Sequence, residues 1–357
     1  MDTALSFDPY YAEPDRDGDI GYEILPDGRV FVRVKAPSAS EVVIDRFGTL
    51  YPLQRGAEDL WEATLDLGRG FLYFFLKIDG ADVLSPAFPI GYGCCRPMHF
   101  FDIPIPGEEW DAMEGIRHGS VTRHYFHSSV TGKHEICLVY LPPAYDVSRV
   151  YPVLYLQHGY GENETGWIYQ GHAGRIADTL LAEGSMKEMI IVMANGMPQI
   201  SDGKRDPEQV NQRFLRMFLS DLMPFIEEHY PVRKDPAGRA MAGLSMGSYQ
   251  TSLLTLTRPE LFQYAGLFSG FLSAPWDEEG KGSHLALLDE PERFRQSFRV
   301  FYRAMGTEDL YFDKFLRDDA LLAGKQVKMI RKTYPGGHDW SVWRRCLHDF
   351  LPLLFRS

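Results

Sequence analysis

Residues 239–251 have the sequence Arg-Ala-Met-Ala-Gly-Leu-Ser-Met-Gly-Ser-Tyr-Gln-Thr, which places a G-x-S-x-G pattern around Ser245. The apolar run before the serine, 239–244, predicts a buried strand, and residues 249–257 predict a helix. A serine on a sharp strand-to-helix turn points its hydroxyl away from a strained backbone, and the flanking glycines let neighbouring chain approach closely. The stretch therefore predicts an α/β-hydrolase fold with Ser245 as its nucleophile.

The serine hydroxyl needs a base to remove its proton, and in this fold an acid and then a histidine follow the serine along the chain. His338 lies in the segment Gly-Gly-His-Asp-Trp, between a predicted last strand and a predicted terminal helix. Asp309 and Glu308 both follow a strand-like run, and both satisfy this order. We expect a triad of Ser245, Asp309 and His338, with Glu308 as the alternative acid.

The loop after the apolar run 153–157 has the sequence His-Gly-Tyr-Gly and is the expected second wall of an oxyanion hole. The backbone amide of Tyr160 is the candidate donor there, paired with the amide of Met246 at the start of the following helix. His158 is the main competitor for the role of base, but its place at a strand end favours a role in shaping this loop. Gly159 is a candidate substrate contact.

Strand and helix patterns divide the chain into two parts. The first hundred residues carry short strand-like runs at 29–35, 41–45, 61–67 and 71–78, separated by Gly, Pro and Asp, which predict a small β-sandwich. Later strands are predicted at 136–141, 153–157, 189–193, 239–244, 261–268, 299–305 and 327–333, and helices at 174–183, 207–229, 249–257 and 341–356. Their alternation predicts a mostly parallel sheet covered on both faces. A Pro-containing polar stretch places the boundary near residue 108, giving domains 1–108 and 109–357.

Composition excludes several classes of partner. The 357 residues carry a formal net charge of −12, which disfavours nucleic acid and anionic membranes. No apolar run is long enough to span a bilayer, and no signal peptide is visible, so a cytoplasmic location is expected unless the chain was trimmed. A small-molecule or oligosaccharide ester is the expected partner, and a homo-oligomer stays open.

No cofactor and no metal are expected. The glycine-rich stretch 159–166 lacks the Gly-Lys-Ser/Thr ending of a phosphate loop and is not a G-x-G-x-x-G pattern. The four cysteines lack the C-x-x-C spacing of zinc ligands, and reduced thiols are the simplest interpretation.

Several blocks together resemble carbohydrate esterase family one, which contains feruloyl and acetylxylan esterases and is related to the esterase D proteins. The blocks are Val-Tyr-Leu-Pro-Pro-Ala-Tyr-Asp (139–146), Tyr-Pro-Val-Leu-Tyr-Leu-Gln-His-Gly (151–159), Glu-Thr-Gly-Trp (164–167), Leu-Met-Pro-Phe-Ile-Glu-Glu-His-Tyr (222–230), the serine segment (239–251) and Gly-Gly-His-Asp-Trp-Ser-Val-Trp (336–343). The resemblance implies the same triad (Ser245, Asp309, His338) and the same oxyanion amides (Tyr160, Met246).

The first part is similar to the early-set immunoglobulin-like modules that precede some of these esterases. Such a module either packs on the catalytic domain or binds carbohydrate through exposed aromatic rings. Trp61 is the main aromatic candidate for a sugar platform, and the scarcity of others favours packing.

Substrate selection is expected near the carboxyl ends of the strands. The segments 198–207 and 273–291 follow two predicted strands there, although ordinary surface loops are the equal alternative. Trp167 and Trp340 flank the triad loops and either stack on a phenolic or sugar ring or pack in the core.

The resemblance implies a serine carboxylic-ester hydrolase that acts on feruloyl or acetyl esters of xylo-oligosaccharides. Three alternatives are an enterochelin-type siderophore esterase with a front β domain, S-formylglutathione hydrolase, and a non-catalytic carbohydrate-binding protein that keeps the fold. The net charge of −12 argues against the anionic catecholate of the first alternative.

Overall fold

The computed structural model describes residues 21–110, 114–199, 207–273 and 282–356. The chain divides into two compact units, Met1–Glu109 and Trp110–Ser357. Among the described residues, no helix combines the length and the apolar character needed to cross a membrane.

The first unit consists of short antiparallel strands. They are Gly21–Ile24 (β1), Val30–Lys35 (β2), Val42–Arg46 (β3), Thr49–Pro52 (β4), Gln54–Arg55 (β5), Leu60–Leu65 (β6), Gly70–Ile78 (β7), Ala81–Val83 (β8), Ile90–Gly93 (β9) and Arg96–Ile103 (β10). One sheet has the order β1-β2-β6-β5, and the other has the order β4-β3-β7-β10-β9, with β8 paired to β7. β2 alternates buried and less buried residues, as expected for a strand with one face on a core. The predicted β-sandwich is confirmed.

Trp61 belongs to the core of this unit. Its side chain is 7% exposed, and its indole Nε1 donates to the Ala36 carbonyl at 3.0 Å. Phe74 and Phe101 stack in the same core, with ring centroids 4.3 Å apart. Because the Trp61 ring is covered, it is not the exposed sugar platform that the sequence left open.

The second unit is built on an eight-stranded sheet of order β11-β12-β14-β13-β15-β16-β17-β18. The strands are Ser120–His127 (β11), His134–Leu141 (β12), Val153–Gln157 (β13), Ile190–Ala194 (β14), Arg239–Leu244 (β15), Tyr264–Phe268 (β16), Val300–Gly306 (β17) and Ile330–Tyr334 (β18). β11 and β12 run antiparallel to their neighbours, and the pairs from β14 to β18 are parallel.

Helices follow most of these strands. They are Gly166–Tyr169 (α1), Ala173–Ala182 (α2), Pro207–Met217 (α3), Met223–His229 (α4), Met246–Thr257 (α5), Pro291–Ser297 (α6), Phe312–Gly324 (α7) and Trp340–Phe350 (α8). Every residue of β13, β14, β15 and β16 is buried, so these strands are covered on both faces. Strands buried on both faces are typical of parallel sheets between helices. The predicted α/β-hydrolase fold is confirmed.

The predicted continuous helix over 207–229 is interrupted. A π-helical turn at Phe218–Leu222 separates α3 from α4. Asp221 lies in this turn and accepts hydrogen bonds from the Ser128 hydroxyl at 2.9 Å and from the Ser129 amide at 3.0 Å. The turn is thereby tied to the connection between β11 and β12, a tertiary contact that helical periodicity does not encode.

Candidate active site

The turn between β15 and α5 holds Ser245 in a strained conformation, with φ +50° and ψ −114°. The two flanking glycines are required by close approach. A Cβ at Gly247 would lie 2.6 Å from the His158 carbonyl oxygen, and one at Gly243 would lie 2.5 Å from the Gly247 carbonyl carbon. The Ser245 amide donates to the Phe268 carbonyl at 3.0 Å. These contacts hold the serine at the carboxyl end of the sheet, the position that the sequence pattern predicts.

Ser245, His338 and Asp309 form one hydrogen-bonded chain. His338 Nε2 lies 2.9 Å from Ser245 Oγ, and His338 Nδ1 lies 2.8 Å from Asp309 Oδ2. The serine follows β15, the aspartate follows β17, and the histidine lies between β18 and α8. The structure thus brings together three residues that lie 93 and 29 positions apart along the chain. This arrangement is able to transfer a proton from the serine hydroxyl to the imidazole.

Asp309 is oriented by more than the histidine. Its side chain is fully buried, and Oδ2 also accepts a hydrogen bond from the Ser269 hydroxyl at 2.7 Å. Oδ1 accepts from the Tyr311 amide at 2.9 Å. Burial raises the pKa of the Asp309 carboxyl. The hydrogen bonds and the charge of His338 lower this pKa by more than burial raises it, so the pKa lies below its ordinary value. The carboxylate is therefore ionised and fixed in place beside the imidazole.

Sequence reasoning missed Ser269 and Trp343. The Trp343 indole Nε1 donates to the Ser269 hydroxyl at 2.9 Å, and Ser269 in turn donates to Asp309. Ser269 follows β16 directly and has a φ of +44°. The rings of Trp343 and Tyr311 both meet the His338 ring edge to face, at centroid distances of 5.2 and 5.4 Å. The position of Ser269 at a strand's carboxyl end was an available signal, but nothing in the sequence linked it to Trp343.

The two acids that the sequence left open differ in burial. Glu308 is exposed, whereas Asp309 is 4% exposed. The Thr307 amide donates to the Tyr334 carbonyl at 2.8 Å, and the Glu308 amide donates to the Gly336 carbonyl at 2.9 Å. These backbone bonds tie the acid loop to the histidine loop. The geometry therefore favours Asp309 as the partner of the imidazole.

Asp339, which is the neighbour of the histidine, has a separate structural role. Its Oδ1 accepts from the Val342 amide at 3.1 Å, which caps the amino end of α8, and its Oδ2 accepts from the Gly337 amide at 2.9 Å. Capping of this kind satisfies amides that a helix leaves unbonded.

The candidate oxyanion amides border the serine. Among the described residues, neither the Tyr160 amide nor the Met246 amide has a hydrogen-bond partner, so both are available to a ligand. Gly159 brings this loop against the nucleophile, since a Cβ on it would lie 3.5 Å from Ser245 Cβ and 2.6 Å from Leu244 Cδ1. The Gly159 amide itself donates to Glu162 Oε2 at 2.9 Å. Gly159 is therefore engaged through its amide, and its expected role as a substrate contact stays a prediction.

His158 fixes the backbone of this loop through hydrogen bonds of its imidazole ring. The Gly196 amide donates to His158 Nε2 at 2.8 Å, so the ring proton lies on Nδ1, which is 2.8 Å from the Gly159 carbonyl oxygen. Burial lowers the pKa of His158 to about 4, although the Gly159 contact raises it. The imidazole is neutral, buried and fully engaged, which fits the shaping role and not that of a base.

Trp167 and Trp340 pack against each other in the core. They are 0% and 1% exposed, and their rings meet edge to face with centroids 5.2 Å apart. The Trp167 indole donates to the Gln157 carbonyl at 2.8 Å. Burial favours core packing, one of the two alternatives that the sequence left open, and a stacking role for either ring stays a prediction.

Two other apolar side chains adjoin the site and reach solvent. Tyr160, in the loop against the nucleophile, is 51% exposed, and Leu310, next to the acid, is 71% exposed. Most of 198–207 and the first part of 273–291, which were predicted to select substrate, lie outside the described residues. In the described ranges, no group of three His, Cys, Asp or Glu is placed to hold a metal ion.

Fold and site together define an α/β-hydrolase with a serine, histidine and aspartate in hydrogen-bonded order. The model of the family described as "Putative esterase" matches residues 128–354. The chain belongs to this esterase family.

One curated relative is an endo-1,4-beta-xylanase/feruloyl esterase from Xylanibacter ruminicola, which is 34% identical over an alignment of 349 positions that covers 92% of this chain. The chain spans 45% of that relative's length. A ferulic acid esterase structure from Anaeromyces mucronatus matches with a TM-score of 0.60 and 26% identity, covering 70% of this chain and 96% of that one. The enterobactin esterase of Shigella flexneri matches with a TM-score of 0.64 over 93% of this chain and 94% of its own, but its 15% identity shows the fold alone.

Proposed function

We propose that the chain is a serine carboxylic-ester hydrolase that cleaves feruloyl or acetyl esters of xylo-oligosaccharides. The observation that carries the proposal is the hydrogen-bonded order Ser245–His338–Asp309 beside two unbonded amides. The curated relative's name joins a xylanase and a feruloyl esterase, and the chain spans less than half of that protein. The esterase family model lies within this chain, which favours the esterase activity over the xylanase activity.

The proposed reaction is a two-step acyl transfer. His338 takes the proton from Ser245 as the hydroxyl attacks the ester carbonyl, and Asp309 stabilises the imidazolium that forms. The amides of Tyr160 and Met246 donate to the tetrahedral oxyanion. His338 then gives its proton to the leaving alcohol, and water repeats the same steps on the acyl-enzyme.

The acyl side of the proposed substrate rests on the exposed side chains near the serine. The Tyr160 phenol ring and the Leu310 side chain offer apolar surface next to the nucleophile and the acid. Aromatic rings pair through offset or edge-to-face contacts, so an aromatic acyl group such as ferulate is favoured over acetyl. The solved ferulic acid esterase at 26% identity supports the same choice.

The test compares initial rates of wild type and Ser245→Ala on methyl ferulate, p-nitrophenyl acetate, acetylated xylo-oligosaccharide, enterobactin and S-formylglutathione. We expect the highest kcat/KM on methyl ferulate, and a loss in Ser245→Ala of roughly a thousandfold or more. A fluorophosphonate probe should label wild type and spare the variant. An unlabelled wild type that is inert on all five esters would support the non-catalytic binding protein instead.

A further inference from the structure

Glu162 is a buried acid inside the loop that carries the Tyr160 amide. Glu162 is 8% exposed, and its Oε2 accepts a hydrogen bond from the Gly159 amide at 2.9 Å. The Glu162 amide in turn donates to the Gly159 carbonyl at 3.3 Å. A side-chain bond and a backbone bond therefore join residues 159 and 162 and enclose Tyr160 between them.

The surroundings of this carboxyl are mostly apolar. A Cβ at Gly166 would lie 3.2 Å from the Trp340 ring and 3.8 Å from Glu162 Oε2. The Trp340 indole and the Glu162 carboxyl therefore both lie close to Gly166. In the part of the chain that the structure describes, no Lys, Arg or His forms an ion pair with Glu162. Glu164, only two residues further on and equally buried, pairs with Arg123 at 2.9 Å. Glu162 is thus a buried acid without a cation, so its ionised form is costly and its neutral form is favoured.

We propose that Glu162 is a positioning residue, an inference that rests on the proposed ester hydrolysis. By holding the Gly159 amide, Glu162 orients the Tyr160 amide toward the oxyanion, and its carboxyl does so in the neutral form. The Gly159 and Tyr160 peptides are consecutive, so fixing the first amide restricts the rotation of the second. An ionised carboxylate at this point would place a negative charge on the loop beside the developing oxyanion. The repulsion between the two negative charges would destabilise the oxyanion.

The protonation state agrees with this geometry. Burial raises the pKa of Glu162 to about 8, although the hydrogen bond from the Gly159 amide and the neighbouring Trp340 indole lower it. The ionisable groups around it are neutral His158 and ion-paired Glu164 on its own loop, Arg123 on β11, and His338 before α8, beyond the serine. None of these supplies an unpaired cation that would stabilise the anion. The carboxyl is therefore mainly neutral at pH 7 and ionises above pH 8.

The experiment measures kcat and KM on methyl ferulate from pH 6 to 9.5 for wild type, Glu162→Gln, Glu162→Ala and Glu135→Gln. Glu135 is the matched control, because it is also 8% exposed and its pKa is also raised by burial, but it lies on β12. We expect kcat of wild type and of the control to fall about tenfold from pH 7 to pH 9. Glu162→Gln keeps the acceptor and cannot ionise, so its kcat should stay level over that range.

Glu162→Ala should lose about tenfold or more in kcat at pH 7 with little change in KM, because a displaced oxyanion donor acts in the transition state. An alkaline fall in Glu162→Gln equal to that of wild type would overturn the proposal, whether or not Glu162→Ala folds. The labelling rate of Ser245 by a fluorophosphonate, measured over the same pH range, separates the two proposals. Labelling without the expected difference between wild type and Glu162→Gln refutes the role of Glu162 alone, whereas a wild type that neither labels nor hydrolyses esters refutes the proposed function and the role of Glu162 with it.

Discussion

Ser269 joins two side chains of the candidate site, since its hydroxyl donates to Asp309 and accepts from Trp343. Replacing it with Ala leaves the carboxylate with one acceptor position unfilled in a buried place. A hydrogen bond to a charged group is worth about 1.5–3 kcal/mol. We expect Ser269→Ala to lower kcat on methyl ferulate roughly 10- to 100-fold with KM nearly unchanged.

The control for this change is Ser220→Ala, which removes a hydroxyl on an exposed residue that donates to the Arg216 carbonyl. It should retain wild-type kcat. Full activity in Ser269→Ala would show that His338 and the Tyr311 amide hold Asp309 well enough without the hydroxyl.

Tyr160 is the exposed aromatic residue of the oxyanion loop. Its amide belongs to the backbone, so Tyr160→Ala removes the ring and keeps the donor. An aromatic contact is worth about 0.5–1.5 kcal/mol beyond buried area. We expect kcat/KM to fall about 3- to 10-fold on methyl ferulate and to change less than about twofold on p-nitrophenyl acetate.

Tyr125→Ala removes another exposed tyrosine, from β11, and serves as the control for the Tyr160 change. Its rates on both esters should match those of wild type. Equal losses on both esters in Tyr160→Ala would mean that the ring supports the loop and does not contact the acyl group.

At the scale of secondary structure elements, α7 is joined to the sheet by a buried ionic cluster. Arg303 on β17 lies 3.4 Å from Asp318 and 3.0 Å from Asp319, and Lys314 on α7 lies 3.7 Å from Asp318. Arg303 is 1% exposed, and Asp318 is 2% exposed. Removing one partner of a buried pair leaves an uncompensated charge and costs about 3–5 kcal/mol.

We therefore expect Asp318→Ala to lower the free energy of unfolding by about 3–5 kcal/mol in urea denaturation. Asp313→Ala, an exposed position on the same helix, should change it by less than about 0.5 kcal/mol. A small effect at both positions would indicate that water or side-chain rearrangement solvates the cluster.

The sequence predicted the buried elements well because burial imposes a pattern. Arg239–Leu244 was predicted to the residue, and the helix that ends at Thr257 was predicted three residues short at its start. β11 was missed, because nearly all of its residues are exposed and an edge strand without a covered face shows no alternation. The proposed triad was predicted from the G-x-S-x-G pattern at Ser245 and from the order of serine, acid and histidine along the chain, with Glu308 left open as the acid.

The rest of the site depends on contacts that chain order does not determine. Ser269 and Trp343 lie 74 positions apart, and their hydrogen bond exists only after β16 and α8 have packed. For Trp167 and Trp340 the sequence left ring stacking and core packing open, and both rings are buried. Periodicity indicates which face of an element is apolar, and it says little about where a loop aromatic packs.

At the scale of the whole molecule, each unit has hydrophobic clusters built from its own described residues. Among the described residues, one cluster has buried members within 30–103, and three more have buried members within 126–327. We propose that 1–108 and 109–357 are separate domains, each with its own core. Limited proteolysis should yield two resistant fragments with a cut close to residue 108, and loss of the chain without such fragments would contradict the division.

The stability of the protein should depend on pH through Glu162. Its pKa rises from 4.5 to about 8 on folding, so the folded state binds the extra proton. This contribution to stability is complete below about pH 4.5 and is lost as the pH rises through about 8. We expect Glu162→Gln, which has no such proton, to gain in Tm relative to wild type as the pH rises from 5 to 9. A Tm difference that is constant over this range would contradict the assignment.

The glycines at 243 and 247 are required by the close approach of strand, helix and loop, whether or not the chain carries out the proposed reaction. A descendant of this chain that lost its serine, aspartate or histidine would still need both glycines in order to fold. The two glycines are therefore expected to persist in related sequences even where the residues of the proposed triad have changed. The Ser269 hydroxyl, the Asp309 carboxylate and the Trp343 indole are not required by such a close approach of backbone. Their joint loss in a related sequence would therefore indicate that the sequence no longer carries out the proposed reaction.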